Sequence, residues 1–159
     1  MARTAPPALT APPEWLALDR QLCFALYSAS LAMTKLYKPL LSPLGLTYPQ
    51  YLAMLALWEA DGLTVSQLGE RLSLDSGTLT PLLKRLEALG LVQRLRDAAD
   101  ERRVLLRLSG RGRALQARAR AVPAAIARAT GCEPGEIGAL TARLQALRRR
   151  LVESPARAA

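Results

Sequence analysis

Residues 74–89 read LDSGTLTPLLKRLEAL, and this stretch decides the fold of the chain. Its leucines recur at helical spacing and predict one buried helix face, formed by Leu79, Leu82, Leu83, Leu86 and Leu89. The opposite face carries small groups first and cations later, namely Ser76, Gly77, Thr78, Thr80, Lys84 and Arg85. A helix of this kind brings its N-terminal end to base edges while its flanks neutralise phosphates. Gly90 is expected to end the helix.

A shorter helix precedes this one and is predicted to begin at Thr64. The Thr64 hydroxyl and the Gln67 side chain can cap two backbone N–H groups at its start. Leu68 and Leu72 give this helix an apolar face, and residues 73–75 form the turn to the next helix. The two helices are therefore predicted to form a helix-turn-helix.

Two short stretches that mix leucine and valine with polar residues follow at residues 91–96 and 103–108, and they predict the strands of a hairpin. Residues 64–108 are thus predicted to form a winged helix-turn-helix in a mainly α-helical protein. Pro81 conflicts with this prediction, because a proline inside a helix removes a hydrogen bond and costs about 3 kcal/mol. We expect the helix to start near Thr78, which would leave Pro81 in its first turn.

The rest of the chain supplies an arm and further helices. Residues 1–13 contain two Pro-Pro pairs and are expected to form a flexible arm. Further helices are predicted from Glu14 to about residue 45, and at residues 49–60, 110–130 and 134–152. A winged helix needs about half of the chain, so the apolar stripes of residues 14–45 and 109–153 are expected to form a homodimer. The dimer would hold its reading helices about 34 Å apart, which predicts a pseudo-palindromic operator in double-stranded DNA.

Composition excludes several classes of protein. The 159 residues carry a formal net charge of +9, and the pI near 10.5 favours a polyanionic partner. The chain has no histidine, so a Ser-His-Asp triad and a His-containing zinc site are excluded. Its two cysteines, Cys23 and Cys132, are too far apart in sequence for a C-x-x-C motif. We expect no metal, no cofactor and no catalytic residue.

The sequence also predicts a location in the cell. No secretory signal is visible, and no run of about 18 uninterrupted apolar residues would span a membrane. We therefore expect a cytoplasmic protein without a membrane partner, in a compartment where thiols stay reduced. Its cysteines are then either buried fillers or redox-active groups.

Several motifs resemble one family of repressors. The sequences LDSGTLTPLL (74–83), GLV (90–92) and DER (100–102) resemble the winged-helix core of MarR-type repressors. The sequences LCFALY (22–27) and LTYPQY (46–51), together with Tyr37, are similar to the organic hydroperoxide resistance regulators of that family. The resemblance covers nearly the whole chain outside the arm and the extreme C-terminus. It implies a single MarR-type domain at residues 14–159.

The resemblance implies a peroxide sensor. In that branch an N-terminal cysteine is oxidised while two tyrosines hydrogen-bond its sulfur across the dimer, and the matching residues are Cys23, Tyr37 and Tyr48. In some members a second cysteine resolves the sulfenic acid by forming an intersubunit disulfide, and Cys132 lies at the matching place. The reacting sulfur must be a thiolate, which tyrosine hydroxyls stabilise. Tyr27 and Tyr51 are expected only to pack.

The DNA contacts of the second helix are predicted from its exposed polar face, and that of the wing tip from the resemblance. Ser76, Thr78 and Thr80 are expected to contact bases or phosphates in the major groove. Lys84, Arg85 and Arg96 are expected to contact phosphates. The family resemblance places the wing-tip arginine, Arg102, in the minor groove, and Asp100 is expected to orient its guanidinium.

Three functions remain open from these residues. The first is a repressor that leaves its operator when an organic hydroperoxide oxidises Cys23. The second is a MarR-type repressor released by a phenolic or other small aromatic ligand, with incidental cysteines. The third is a thiol peroxidase, but residues 19–23 lack the Pro and Thr that peroxiredoxins place before their nucleophile. We expect the first function and no enzymatic activity.

Overall fold

The computed structural model describes residues 13–154. Within this range the helices and strands are α1 (Leu22–Leu41), α2 (Tyr48–Glu59), α3 (Val65–Leu72), α4 (Ser76–Ala88), β1 (Val92–Arg96), β2 (Val104–Leu108), α5 (Gly110–Ala119), α6 (Ala121–Thr130) and α7 (Pro134–Glu153). Short 3-10 helices lie at Pro13–Leu16, Leu18–Arg20 and Ser42–Leu44. The predicted arm falls outside the described residues except for Pro13. Internal contacts divide the described residues into two units, with the boundary between Leu36 and Tyr37.

The first unit holds two of the 3-10 helices and most of α1. The prediction of one continuous helix from Glu14 is wrong, because the backbone at Ala17 and Gln21 is extended and breaks the helical path. Leu41 is the one residue of α1 that is buried. Tyr27 was expected to pack, yet it is 63% exposed, since the described part of this unit offers nothing that covers it. The result is an α1 with a largely uncovered surface.

The core of the second unit lies between α2, the helix-turn-helix and the sheet. Its most deeply buried side chains are Leu41, Tyr51, Met54, Leu57, Leu68, Leu79, Leu83, Leu86 and Leu106. Burial of each such side chain contributes about 1.5–3 kcal/mol. The predicted core leucines of α4 are confirmed, apart from Leu89, which is half-buried.

Caps fix the ends of the two helices of the helix-turn-helix. The predicted capping box of α3 is confirmed, because Thr64 Oγ1 accepts from the Gln67 N–H at 3.1 Å and Gln67 Oε1 accepts from the Thr64 N–H at 2.8 Å. Asp75 caps α4, and its Oδ1 accepts from the Thr78 N–H at 2.8 Å. This cap starts α4 at Ser76, so the prediction that Pro81 would lie in the first turn is wrong.

The wing is an antiparallel hairpin in which Arg94 lies opposite Leu106. Its outer edge is joined to the loop before α3. The Gly62 N–H donates to the Leu106 carbonyl at 2.9 Å, and the Leu106 N–H donates to the Leu63 carbonyl at 2.8 Å. The sheet therefore gains part of a third strand, which anchors the wing to the rest of the unit. Gly90, with a φ of 69°, ends α4 as predicted.

The C-terminal region departs from the prediction at one point. A single helix was expected over residues 110–130, but the structure has α5 and α6 with a break in the hydrogen bonding at Arg120, whose backbone stays helical. Pro123 explains the break, because it has no N–H to donate to the carbonyl of Ala119 four residues earlier. None of the residues of α7 is buried, and its Leu140 and Leu144 are exposed.

Candidate DNA interface and thiol site

The exposed face of α4 brings five predicted side chains together. Ser76, Thr78, Thr80, Lys84 and Arg85 are all exposed, while the leucines on the opposite face are buried. This geometry leaves hydroxyls at the N-terminal end of the helix and cations further along. Such an order fits a helix that enters the major groove by its N-terminus.

Asp75 controls the start of this helix. The Thr78 N–H donates a hydrogen bond to its carboxylate, and this bond holds the pKa of Asp75 below its usual value. The carboxylate is therefore charged at neutral pH and occupies an N–H group that would otherwise be free to bind a phosphate.

The tip of the wing presents one highly exposed arginine. The side chain of Arg102 is 92% exposed, and its Nε donates to Asp100 Oδ1 at 3.1 Å. The Arg102 backbone N–H donates to the same oxygen at 3.2 Å. Arg96 is also exposed, at the end of β1. The structure thus pairs Asp100 with Arg102 in the way that the sequence suggested.

Asp97 orders the same turn and was missed by the sequence reasoning. Its Oδ1 accepts from the Ala99 N–H at 3.0 Å, and its Oδ2 lies 3.8 Å from Arg103 Nη1. The backbone N–H of Asp97 donates to the Arg103 carbonyl at 2.9 Å. An Asp at the start of a tight turn is a recognisable signal, since its side chain bonds the backbone two residues later.

Asp61 holds the base of the wing and was also missed. Its Oδ1 accepts from the Leu108 N–H at 2.9 Å, and its Oδ2 accepts from Arg113 Nη1 at 2.9 Å. The next residue, Gly62, has a φ of 89° and lies so close to the Arg107 guanidinium that a Cβ would be 2.9 Å from it. The Asp-Gly pair therefore fixes the α2–α3 loop to β2 and α5.

Tyr37 and Tyr48 form an aromatic cluster with Tyr51. The ring centroids of Tyr37 and Tyr48 are 4.5 Å apart, and those of Tyr37 and Tyr51 are 5.8 Å apart. Burial raises the pKa of Tyr37 to about 12, and repulsion from Tyr48 and Tyr51 acts in the same direction. Burial also raises the pKa of Tyr48. Both phenols are therefore protonated at neutral pH and are able to donate hydrogen bonds.

The two thiols are free and occupy different surroundings. Cys23 lies near the start of α1 in the first unit and is exposed. Cys132 lies in the second unit, directly after the left-handed Gly131 that ends α6, and is half-buried. Its N–H donates to Thr130 Oγ1 at 3.3 Å, and α7 begins two residues later. Displacement of Cys132 would therefore act directly on the junction of α6 and α7.

A cleft of about 300 Å³ opens between α2 and the α5–α6 segment. Its walls include Tyr51, Leu55 and Trp58. Gln116, Arg120 and Glu59, which pairs with Arg71, add polar and charged groups. Apolar walls with a few polar groups are typical of a small-molecule site. Among residues 13–154 there is no His, Cys, Asp or Glu group suited to a metal ion, and no helix there is long and apolar enough to cross a bilayer.

The fold and the exposed face of α4 define a DNA-binding regulator of the winged-helix class. The MarR family model matches residues 46–104. The chain is 55% identical over 113 residues to the organic hydroperoxide resistance transcriptional regulator of Bacillus subtilis, an alignment that covers 71% of this chain and 77% of that protein. The chain therefore belongs to the MarR family of transcriptional regulators.

Solved structures agree with this assignment. AbfR of Staphylococcus epidermidis matches with a TM-score of 0.74 and 36% identity, over 89% of this chain and 97% of that one. Reduced AbfR bound to DNA matches with a TM-score of 0.70 and 37% identity, over 89% of this chain and 99% of that one. Disulfide-formed AbfR matches with a TM-score of 0.59 and 39% identity, over 84% of this chain and 94% of that one. PcaV of Streptomyces coelicolor, in complex with its natural ligand, matches with a TM-score of 0.73 and 28% identity over 87% and 96% of the two chains.

Proposed function

We propose that this chain is a dimeric repressor that leaves its operator when an organic hydroperoxide oxidises Cys23. The exposed Cys23 thiol on α1 carries this proposal, because an oxidant can reach it in a chain that also presents a DNA-reading helix. The high identity to an organic hydroperoxide resistance regulator supports the choice of oxidant.

DNA binding is assigned to α4 and the wing. Ser76, Thr78 and Thr80 contact bases or phosphates in the major groove, and Lys84, Arg85 and Arg96 neutralise phosphates. Arg102 enters the minor groove, and its ion pair with Asp100 at 3.1 Å limits the directions that the guanidinium can take. The dimer engages a pseudo-palindromic site whose halves are about 34 Å apart.

Oxidation begins at the Cys23 thiolate. Its sulfur attacks one peroxide oxygen, the O–O bond breaks, and the other oxygen leaves as an alcohol after it takes up a proton. The sulfur is oxidised by two electrons and becomes a sulfenic acid. Tyr37 and Tyr48 donate hydrogen bonds to this sulfur across the dimer, a role supported by the raised pKa of both phenols.

Cys132 of the second protomer then resolves the sulfenic acid. Its thiolate attacks the oxidised sulfur, the S–O bond breaks, and hydroxide leaves and takes up a proton to become water as the intersubunit disulfide forms. A disulfide requires the two Cα atoms to lie within about 7 Å. Closing it moves the α6–α7 junction, changes the spacing of the two α4 helices and so weakens binding to both half-sites.

Fluorescence anisotropy on a labelled operator, selected from a random DNA pool, tests this function. Cumene hydroperoxide is expected to release the wild-type protein and to leave Cys23→Ser bound. Cys132→Ser is the matched control for loss of a thiol. It should still respond because Cys23 is still oxidised, but the reaction should stop at the sulfenic acid or at a mixed disulfide with a small thiol. Equal release of wild type and Cys23→Ser would contradict the proposal.

The cleft between α2 and α5–α6 supports a second candidate function. Its volume of about 300 Å³ suits a single-ring aromatic acid, and Arg120 would pair with the carboxylate. The fold similarity to PcaV, solved with its natural ligand, favours the same candidate. Salicylate that releases wild type and Cys23→Ser equally, at concentrations where cumene hydroperoxide has no effect, would establish it.

A further inference from the structure

Pro81 is an exposed proline in the interior of α4. The helix begins at Ser76 and continues to Ala88, so Pro81 is its sixth residue and lies past the first turn. Its side chain is exposed, which means that it does not fill the core. The residue therefore has no packing role that would explain its presence.

The position of Pro81 on the helix is central to the exposed face. Gly77, Pro81, Lys84 and Ala88 follow one another at helical spacing and lie opposite the buried Leu79, Leu82, Leu83 and Leu86. Gly77, one turn before Pro81, has no side chain, so the backbone there can approach a base edge closely. Pro81 is thus the first side chain that a base would meet along the middle of this face.

Proline weakens the helix that carries it. It has no N–H, so the hydrogen bond from residue 81 to the Gly77 carbonyl is not made, and its ring crowds that carbonyl. Alanine at this position would restore the bond. A residue that opposes its own local structure without a gain in packing points to a role in function.

We propose that Pro81 is a specificity-determining residue whose ring contacts the C5-methyl group of a thymine in the major groove. This inference rests on the proposed function, in which α4 reads DNA. Thymine alone among the four bases presents a methyl group there, and apolar side chains recognise it. The proline ring is rigid and apolar, and it has no donor that competes for a base edge. Burial of one methyl group corresponds to about a fourfold change in affinity.

Replacement of single thymines by deoxyuridine tests this contact, because deoxyuridine differs only in lacking the methyl group. For the wild-type protein, replacement of one thymine in each half-site by deoxyuridine is expected to lower the affinity for the operator about fourfold per half-site. Pro81→Ala should bind the thymine and deoxyuridine operators equally well at that position, and its Tm should rise by about 3 °C or more because the helix gains a hydrogen bond.

Two control variants distinguish loss of the thymine contact from other effects of substitution. Pro39→Ala removes another exposed helix proline, in α1, and it should keep the full deoxyuridine effect. Lys84→Ala should weaken binding and lower its salt dependence, which tests whether α4 contacts DNA at all.

The results for Pro81→Ala and Lys84→Ala together distinguish the role of Pro81 from the role of α4 in DNA binding. An unchanged deoxyuridine effect in Pro81→Ala, no sensitive thymine in the wild type, or a lower Tm in Pro81→Ala would overturn the inference. If Lys84→Ala weakens binding in such a case, α4 still reads DNA and only the role of Pro81 fails. If Lys84→Ala also leaves binding and its salt dependence unchanged, the assignment of α4 in the proposed function fails.

Discussion

Replacement of Asp61 by alanine is expected to destabilise the second unit strongly for a single side chain outside the apolar core. Asp61→Ala removes the acceptor of the Leu108 N–H, a bond of 2.9 Å, and the partner of Arg113 at 2.9 Å. The bond is part-buried, so water replaces the lost acceptor only in part. Both contacts lie at the base of the wing, far along the chain from Asp61 itself.

The two contacts differ in magnitude. A hydrogen bond to a charged group contributes about 1.5–3 kcal/mol, and the loss lies in the lower half of this range because the bond is only part-buried. The ion pair contributes less than about 1 kcal/mol, because the Arg113 side chain is 60% exposed. The sum is about 2–3 kcal/mol, which lowers Tm by roughly 5–10 °C in a protein of this size.

Circular dichroism at 222 nm during thermal and urea unfolding measures this loss. Asp61→Asn keeps an oxygen for the Leu108 N–H, and Arg113→Ala removes the ion pair alone, so each should cost less than about 1 kcal/mol. Asp61→Ala should also weaken operator binding, since the wing loses its anchor. The reasoning is refuted if Asp61→Ala unfolds within about 0.5 kcal/mol of wild type, or if Asp61→Asn is equally destabilised.

Three further predictions concern the tyrosines, the wing and the second thiol. In an absorbance titration at 295 nm, Tyr37→Phe should lack the phenol transition at a pKa of about 12. In the wild type, the contribution of this phenol to stability should be lost as the pH rises from 10 to 12. If Tyr37→Phe instead lacks an ordinary transition near pH 10, the prediction is wrong. Arg102→Ala should lower the slope of log affinity against log salt concentration for operator binding by about one, and Asp100→Asn should weaken binding less. An unchanged slope would show that Arg102 does not contact DNA. Peroxide-treated Cys132→Ser should give no crosslinked dimer on a non-reducing gel, and the wild-type crosslink in this variant would remove Cys132 from the mechanism.

Local patterns predicted most of the winged helix. The capping pair of Thr64 and Gln67, the leucine spacing of α4 and the glycine at residue 90 depend only on neighbouring residues, and all three are confirmed. Proline was the main source of error in this region and beyond it. Pro81 does not delay the start of α4, which Asp75 caps at Ser76, whereas Pro123 interrupts the hydrogen bonding of a helix that was predicted to be continuous.

The sequence did not predict the contacts between residues that are far apart along the chain. Asp61 and Leu108 are 47 positions apart, and Trp58 Nε1 donates to the Gly112 carbonyl 54 positions away. Neither pair follows a motif, so only the folded chain reveals it. Family resemblance selected Tyr37 and Tyr48 as partners of the Cys23 sulfur, but it did not predict the contact between their rings or the third ring, Tyr51. The roles of these residues toward DNA and peroxide stay predictions.

Simultaneous measurement of Cys23 oxidation and operator release tests the central claim most directly. One reaction with substoichiometric cumene hydroperoxide is sampled for intact-protein and peptide mass spectrometry while anisotropy records the bound fraction. Loss of the Cys23 thiol should follow the same time course as release, and a reductant should reverse both together. Release that is complete while Cys23 is still a free thiol would contradict the account.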